Sequence, residues 1–176
     1  MKFTEINLKG AFVIELEKRE DERGFFARTW DVNEFEANGI YRIPIQASIS
    51  FSSKKGTIRG IHYQVAPYEE SKLIRCVRGA IYDVVIDLRP KSPTYKKWFG
   101  IELNEDNKLM LFLPEGFAHG FLTLEDNTEV TYQVSAFYSF ESERVIRYND
   151  PTFNIKWPID VTIISKKDKN YPDFKE

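Results

Sequence analysis

The chain alternates short hydrophobic runs with polar turns rich in Gly, Pro, Asn and Asp. Turn residues separate most of these runs at intervals of about 8–12 residues, which is typical of a β-sandwich or barrel rather than of βαβ units. The runs themselves are rich in Val, Ile, Phe and Tyr, which strands favour. The pattern therefore predicts ten strands, at residues 11–17, 43–51, 57–64, 72–78, 80–88, 97–103, 108–113, 118–124, 129–138 and 144–148.

One segment predicts a helix instead. Asp31 is a suitable N-cap, Glu34 follows three residues later, and Phe35 lies on the apolar face. Gly39 would end the helix, because glycine readily adopts the backbone conformation that follows a helix C-terminus. The charged residues 18–23 predict a turn, and the polar last dozen residues predict no regular structure.

Alternation along residues 80–88 separates two faces of one strand. The even-numbered residues from Tyr82 to Leu88 form an apolar face that we expect in the core. The odd-numbered residues mix Asp83 and Asp87 with aliphatic side chains. Such a face can line a wet, ligand-holding barrel, or it can be the solvated side of a half-exposed antiparallel sheet. For this strand alone, the solvated side is the favoured interpretation.

Strand alternation also decides the surroundings of one of the two histidines. It places His62 on the same face as Gly60 and Gln64, so that Arg59 points away. Arg59 would share the face of His62 only if Gly60 lay in a β-bulge, where strand glycines often occur. A lone histidine on a strand is more often a hydrogen-bonded structural residue than a catalyst.

Three further polar residues have plain structural explanations when each is taken singly. His119 lies in a turn containing Pro and Gly that opens an apolar strand. Lys72 begins a strand, where a solvated lysine is unremarkable. Tyr132 lies on an apolar strand face and would be a core tyrosine with its hydroxyl at the rim.

Composition limits the class of protein. The chain has 176 residues, of which 42% are hydrophobic and 30% charged, and this excludes a disordered protein. We expect a single domain over residues 1–176. With 25 basic and 27 acidic residues the net charge is −2, which favours neither nucleic acid nor an anionic membrane as a partner.

Targeting and redox features point to the cytoplasm. No window approaches the roughly eighteen consecutive apolar residues that span a bilayer, and the N-terminal residues lack the apolar stretch of a signal peptide. The one cysteine, Cys76, excludes an internal disulfide and fits a reducing compartment. We therefore expect a cytoplasmic protein without a membrane partner.

Taken together, the polar residues belong to a longer series of motifs. In chain order these are DERGFF (21–26), RGIHYQ (59–64), KLIRC (72–76), GAIYDV (79–84), DLR (87–89), SPTY (92–95), PEGFAHGF (114–121), YQ (132–133), NDP (149–151) and WP (157–158). The series closely resembles the dTDP-4-dehydrorhamnose 3,5-epimerase family from about residue 10 to 170. The resemblance implies an all-β, cupin-type double-stranded β-helix (jelly roll) with one or two short helices. It also implies a homodimer and no cofactor.

The metal question can be argued from the residues. The turn before His119 is of the kind that supplies one ligand in metal-binding cupins, but those sites also need a His-x-His pair and an acid. Here His62 is followed by Tyr63 and Gln64, and the cationic Lys72 lies close in sequence and would repel a divalent cation. We expect a site without a metal.

The resemblance implies inversion of C3 and C5 of a nucleotide-linked 4-keto-6-deoxyhexose, by default dTDP-4-keto-6-deoxyglucose giving dTDP-4-keto-rhamnose. Epimerisation beside a ketone needs a base, an oxyanion stabiliser, and an acid on the opposite face of the ring. His62 matches the family's base and Asp168 the carboxylate that orients it. Lys72 matches the group that holds the enolate oxygen, and Tyr132 matches the proton donor.

The resemblance also assigns residues to the nucleotide and sugar. The matched positions are Arg23, Gln46, Arg59, His119, Tyr138, Glu143 and Lys167. Two further positions in this region depart from the family: Arg28 stands where thymidine-specific members have Glu, and Ser48 where they usually have Asn. The interval from Gln46 to Arg59 is one residue longer than in close relatives.

These departures leave other functions open. One is a single-carbon epimerase, at C3 or C5, for another nucleotide-linked 4-ketosugar such as a CDP-sugar, and the reversed charge at Arg28 motivates it. From a different class, the chain would be a non-catalytic sugar-nucleotide-binding cupin or a metal-dependent cupin oxygenase. The 3,5-epimerase is preferred because a binding protein has no chemical use for the complete set of His, Lys, Tyr and Asp.

Overall fold

The structure is a computed structural model that describes residues 1–42 and 44–175. Two short helices occur in these residues, α1 (Val32–Ala37) and α2 (Lys166–Asn170). The strands are β1 (Lys2–Glu5), β2 (Phe12–Glu15), β3 (Arg19–Asp21), β4 (Gly24–Phe26), β5 (Gln46–Ser52), β6 (Ile58–Gln64), β7 (Lys72–Arg78), β8 (Ala80–Asp87), β9 (Trp98–Asn104), β10 (Met110–Leu113), β11 (Phe117–Thr123), β12 (Thr128–Val134) and β13 (Glu143–Val145).

Two large sheets form the body of the molecule. The six-stranded sheet has the order β1-β2-β10-β7-β12-β5, and the five-stranded sheet has the order β13-β6-β11-β8-β9. Neighbouring strands in both sheets are antiparallel, as in the pairs β12–β5 and β11–β8. Strands β3 and β4 form a separate hairpin. This arrangement confirms the predicted all-β, cupin-type jelly roll with two short helices.

The main hydrophobic core lies between the two sheets. Inward-facing residues of β7, such as Ile74 and Cys76, pack there against Ile81 and Val85 of β8 and Phe121 of β11. Because side chains alternate along a strand, every second residue reaches this core. Burying one such aliphatic side chain contributes about 1.5–3 kcal/mol to stability, so this core holds the two sheets together.

Helix α1 covers the outer face of the six-stranded sheet. The carboxylate of Asp31 accepts hydrogen bonds from the backbone N–H groups of Asn33 and Glu34, which confirms the predicted N-cap. Phe35 is fully buried and packs beside Ile14, where the sheet carries a second hydrophobic cluster. The helix is thus fixed by one cap and one aromatic anchor.

Strand positions follow the predicted segments, and each of the ten segments overlaps an observed strand. Position 43, the predicted start of one strand, lies outside the described residues, and β5 begins at Gln46. The predicted strand 129–138 was too long, because β12 ends at Val134 and leaves residues 135–142 as a loop. The turn expected at 18–23 is confined to Glu22 and Arg23, because β3 occupies Arg19–Asp21 and β4 begins at Gly24.

The prediction that the last dozen residues lack regular structure was also wrong. Residues 166–170 form α2, whose N-cap is Ser165. The side chain of Ser165 accepts a hydrogen bond from the backbone N–H of Asp168. A single turn of polar helix leaves almost no hydrophobic periodicity, so the pattern gave no indication of it.

The solvated interpretation of the odd-numbered face of β8 was wrong as well. Both Asp83 and Asp87 are 0% exposed, and Ile81 and Val85 on the same face pack in the core between the two sheets. Asp87 accepts hydrogen bonds from the side chains of Arg89, Ser92 and Thr94. Burial alone would raise the pKa of Asp87, but these hydrogen bonds outweigh it and lower the pKa to about 2.

Candidate active site

A cavity of about 400 Å³ opens between the two sheets. Strands β5, β7 and β12 of the six-stranded sheet form one wall, and β6, β11 and β13 of the five-stranded sheet form the other. Nine of the residues predicted from the sequence line this cavity: Gln46, Ser48, Arg59, His62, Lys72, His119, Tyr132, Tyr138 and Glu143.

The irregular pairing of β6 brings Arg59 to the cavity together with His62. The register between β6 and β11 shifts in the stretch that contains Gly60. Gly60 has a φ of +103°, and a side chain at this position would meet the carbonyl oxygen of His119 at 2.7 Å. Simple alternation would have pointed Arg59 away from the face of His62. The exception foreseen for a β-bulge at Gly60 applies instead, so Arg59 and His62 line the same cavity.

His62 lies beside two carboxylates. Its Nε2 is 2.7 Å from Oδ1 of Asp168, and its Nδ1 is 3.7 Å from Oε1 of Glu143. An ionised carboxylate only accepts hydrogen bonds. Nε2 therefore carries the ring proton and donates a hydrogen bond to Asp168. Nδ1 is then the ring nitrogen with a free lone pair.

Asp168 is held in place from several directions. The residue is 5% exposed, and it accepts hydrogen bonds from His62 and from the backbone N–H of Gly60. Burial alone would raise the pKa of Asp168, but these hydrogen bonds outweigh it and the pKa is lowered. Asp168 is therefore a carboxylate at neutral pH, and α2 delivers it to the cavity from the far end of the chain.

Glu143 joins three neighbouring groups. Its Oε2 accepts a hydrogen bond from the hydroxyl of Tyr138 at 2.8 Å and pairs with the ammonium of Lys167. Burial alone would raise the pKa of Glu143, but Lys167, Tyr138 and the nearby His62 lower it. The same contact raises the pKa of the Tyr138 hydroxyl. Lys167 thus reaches the site through Glu143.

Lys72 places an ammonium group in the cavity wall. The residue is 9% exposed, and its Nζ lies 3.1 Å from Oε1 of Glu70 and 3.4 Å from the carbonyl oxygen of His62. His119, also 9% exposed, has its Nε2 3.0 Å from the carboxylate of Asp83. Burial raises the pKa of Asp83, against the opposing charges of His119 and Lys72.

The outer part of the cavity carries groups that suit a nucleotide. The guanidinium of Arg59 is held by Oγ of Ser52 at 3.0 Å and by the carbonyl oxygen of Phe51 at 2.8 Å. Oε1 of Gln46 accepts a hydrogen bond from the backbone N–H of Tyr138, whose ring is exposed at the rim. The cation and the aromatic ring can hold a phosphate and a base, respectively.

Arg23 and Arg28 lie outside the cavity walls formed by this single chain. Arg23 is on the β3–β4 hairpin, where it forms an ion pair with Asp21 and its side chain is 83% exposed. Arg28 forms an ion pair with Asp31 at 2.8 Å. Neither arginine therefore meets the other predicted ligand-binding residues within one chain.

Three residues of the site were missed as functional candidates. Glu70 pairs with Lys72, Asp83 holds His119, and Gln64 fixes the loop that carries Tyr138. Alternation placed Gln64 on the same face as His62. It placed Asp83 on the odd-numbered face of β8, which can line a ligand-holding barrel. Both residues could therefore have been proposed from the sequence. Glu70 precedes its strand, and nothing in the pattern marks it.

Among residues 1–42 and 44–175, no group of three or more His, Cys, Asp and Glu side chains is arranged to hold a metal ion. Neither described helix is long and apolar enough to cross a membrane.

The arrangement can move protons across a bound ring. His62 projects from the five-stranded sheet, whereas Tyr132 and Lys72 project from the six-stranded sheet, and all three line the same cavity. A base and an acid on opposite walls can remove a proton from one face of a carbon and deliver another to the opposite face. A nearby ammonium can stabilise the oxyanion that forms between the two steps.

Comparison with known proteins gives a consistent result. The sequence profile of dTDP-4-dehydrorhamnose 3,5-epimerase matches residues 5–176. The dTDP-4-dehydrorhamnose 3,5-epimerase of Shigella flexneri is 43% identical, over 88% of this chain and 85% of that protein.

Two solved structures are similar over nearly their full length. The crystal structure of dTDP-4-dehydrorhamnose 3,5-epimerase from Bacillus anthracis, with TDP and PPi bound, is 40% identical and has a TM-score of 0.95, covering 98% of this chain and 99% of that one. A dTDP-6-deoxy-D-glucose-3,5-epimerase from Legionella pneumophila, in complex with dTDP-4-keto-L-rhamnose, is 32% identical and has a TM-score of 0.90, covering 99% of each chain.

Proposed function

This chain belongs to the dTDP-4-dehydrorhamnose 3,5-epimerase family, and on that premise we propose how its own residues invert C3 and C5 of a dTDP-linked 4-keto-6-deoxyhexose. The enzyme is an isomerase whose substrate is a nucleotide sugar. The single observation that carries the proposed mechanism is the placement of His62 and Tyr132 on opposite walls of one cavity.

His62 is the base in this mechanism. Its Nδ1 takes the proton from the carbon beside the ketone, and the electrons of the C–H bond move into the enolate. Asp168 holds Nε2–H at 2.7 Å, which fixes the tautomer and stabilises the positive charge that the ring acquires. Because the pKa of Asp168 is lowered, this carboxylate stays charged throughout.

Lys72 stabilises the negative charge that develops on the C4 oxygen. Its ammonium is nearly buried, where an electrostatic interaction is stronger than in bulk water. Glu70 forms an ion pair with Lys72, and the carboxylate of Asp83 lies 3.0 Å from Nε2 of His119. His119 is placed to contact the sugar beside Lys72.

Tyr132 is the acid on the opposite face. Its phenol O–H gives its proton to the enolate carbon. Transfer from Tyr132 leaves a phenolate and an inverted carbon. The same pair then acts on the second carbon, so the reaction needs no redox partner and no metal in this mechanism.

Deuterium incorporation tests the proposed reaction. Turnover of dTDP-4-keto-6-deoxyglucose in heavy water is expected to place deuterium at both C3 and C5, because each inversion replaces a carbon-bound proton with a solvent-derived one. Proton NMR of the product reads both positions. Label at one carbon only would make the enzyme a single-carbon epimerase, and label at neither would contradict the function.

We also propose that the enzyme is a homodimer in the cytoplasm and that the cavity is completed by the partner subunit. Support comes from the outer face of β5 and its neighbours, where Ile49 and Phe51 are 62% and 50% exposed. On the adjoining strands, Nε of Arg75 and Oε1 of Gln133 are buried and have no hydrogen-bond partner among the described residues. A second copy would cover this apolar face and pair these atoms.

The position of the β3–β4 hairpin supports the same proposal. Arg23 lies away from its own cavity, and Phe26 beside it is 63% exposed. Strand β5 is the edge of its sheet and lines the cavity through Gln46 and Ser48. A second subunit that packs along β5 therefore lies next to the opening of the cavity. In a two-fold dimer the hairpin of one protomer can then supply Arg23 to its partner.

Mixing two inactive variants tests this arrangement. If Arg23 acts in the partner's site, His62→Ala and Arg23→Ala dimers are both impaired, but a heterodimer contains one intact site. A subunit-exchanged 1:1 mixture should recover about a quarter of the wild-type activity. No recovery, with heterodimers verified by native mass spectrometry, would contradict the shared site. A monomer in sedimentation analysis would contradict the dimer itself.

A further inference from the structure

If one base and one acid act on two carbons in turn, both groups must regain their starting protonation states between the two inversions. This inference rests on the proposed function above. After the first inversion His62 holds the proton taken from the first carbon, and Tyr132 has lost its own. Both groups must return to their starting states before the second carbon can react. While the sugar fills the cavity, His62 therefore needs another group that can accept its proton.

Two carboxylates lie beside His62, and they face different nitrogens of its ring. The side chain of Asp168 is 6% exposed, and its other contacts are with Gly60 and with Ser165. It faces Nε2, the nitrogen that already carries a proton. Asp168 can therefore stabilise the charge on His62, but it does not face the proton that Nδ1 acquires.

Glu143 faces Nδ1, the nitrogen that takes the proton from the substrate carbon. Its Oε1 is 3.7 Å from Nδ1, slightly beyond hydrogen-bond length and within reach of a small side-chain movement. Its other oxygen contacts Tyr138, which is 61% exposed, and Lys167, whose side chain is 46% exposed. Glu143 thus connects the base of the reaction to the rim of the cavity.

We propose that Glu143 takes the proton from His62 after the first inversion and releases it to solvent before the second. The Nδ1–H bond of the imidazolium breaks, its proton moves to a carboxylate oxygen of Glu143, and the ring becomes neutral. The carboxylic acid then gives the proton to water, and a solvent proton returns to the Tyr132 phenolate. Lys167 and Tyr138 favour the carboxylate form of Glu143, so the proton does not stay there.

Glu143→Gln tests the relay, because glutamine has nearly the same shape and still accepts hydrogen bonds but cannot carry a proton in this way. In a single turnover in heavy water, exchange at the first carbon needs no reset of His62, whereas exchange at the second carbon does. The second carbon should exchange at least about tenfold more slowly, so that singly labelled sugar accumulates. Rapid quench followed by NMR measures both rates. Added formate, a small carboxylate, should accelerate the second exchange.

Lys167→Met is the matched control, since it removes a neighbour of Glu143 but keeps the carboxylate. It is expected to raise KM without separating the two exchange rates, and Glu143→Asp should recover part of the second rate. Equal slowing of both carbons in Glu143→Gln, with no response to formate, would overturn the relay and leave Glu143 as a binding residue. If the wild-type enzyme exchanges neither carbon, the proposed function itself fails.

Discussion

At the scale of single residues, chemistry in this protein depends on how polar side chains are held. His62 has one nitrogen fixed by a buried carboxylate and the other free. Lys72 and His119 are each nearly buried next to an acidic partner. A buried charge without such a partner would cost several kcal/mol, so Glu70 is needed to hold the ammonium of Lys72 in the cavity wall.

Tyr132→Phe separates proton removal from proton return. Phenylalanine keeps the ring that packs against the core but has no acidic proton. We expect the rate of inversion to fall about 10²- to 10³-fold. Deuterium should still enter the substrate from heavy water with its configuration retained, because His62 can return a proton to the face from which it took one. Mass spectrometry and NMR of recovered substrate measure this exchange.

The control for this variant is His62→Ala, in which exchange and inversion should both be lost while dTDP binding persists. Full inversion at both carbons in Tyr132→Phe would show that water or another group is the acid.

At the scale of elements, the site depends on short irregular segments as much as on long strands. Helix α2 has only five residues, yet it delivers Asp168 to His62 across a sequence separation of 106 residues. The shifted register of β6 similarly brings Arg59 to the cavity. Both features are local, but they bring residues into the site only when distant segments of the chain pack together.

Ser165→Ala tests whether the cap of α2 positions Asp168. The serine hydroxyl oxygen accepts a hydrogen bond from the N–H of Asp168, and losing an N-cap typically costs about 1 kcal/mol. A less well-held Asp168 should lower kcat several-fold while KM for the nucleotide sugar stays near the wild-type value. Ser165→Thr keeps a hydroxyl and should restore activity. An unchanged kcat in Ser165→Ala would mean that the contacts with Gly60 and His62 are enough to fix Asp168.

The loop after β8 gives a pH-dependent prediction for stability. Asp87 has a pKa of about 2 in the folded protein against an ordinary value of 3.8. A pKa lowered by folding contributes stability that is complete above about pH 4 and is lost as the pH falls through about 2. This difference corresponds to about 2 kcal/mol at neutral pH.

Asp87→Asn should therefore lower the free energy of unfolding at pH 7 by about 2 kcal/mol. The difference in the free energy of unfolding between the variant and the wild type should become smaller as the pH falls from about 4 toward 2. Urea denaturation across this range measures this difference. A difference independent of pH would mean that packing rather than charge at Asp87 determines the effect.

At the scale of the whole molecule, two sheets with a shared core leave space for a ligand at one end. Aliphatic residues fill the space between the sheets at Ile74 and Val85, whereas polar residues line the cavity. The prediction of one domain over 1–176 stays a prediction, as do the absence of a metal and the dimer.

The nucleotide preference can be tested on the intact protein. Position 48 lines the cavity and carries Ser where thymidine-specific members usually have Asn, but the chain's full-length similarity to dTDP-sugar enzymes favours dTDP. At a hundredfold excess over Kd, dTDP should stabilise the protein by about 2.7 kcal/mol and raise Tm by roughly 5–10 °C. CDP at the same concentration should raise it less. Equal or larger stabilisation by CDP would revive the CDP-sugar alternative.

The sequence by itself determined the strand pattern, the α1 cap at Asp31, and the series of motifs that names the family. These features are local, because alternation, capping and motif spacing are recorded in neighbouring residues. Only the tertiary structure decided that both faces of β8 are buried and that Glu143 lies beside the ring of His62. Those outcomes depend on which distant strands pair and on the register in which they do so, and no short window of the chain contains that information.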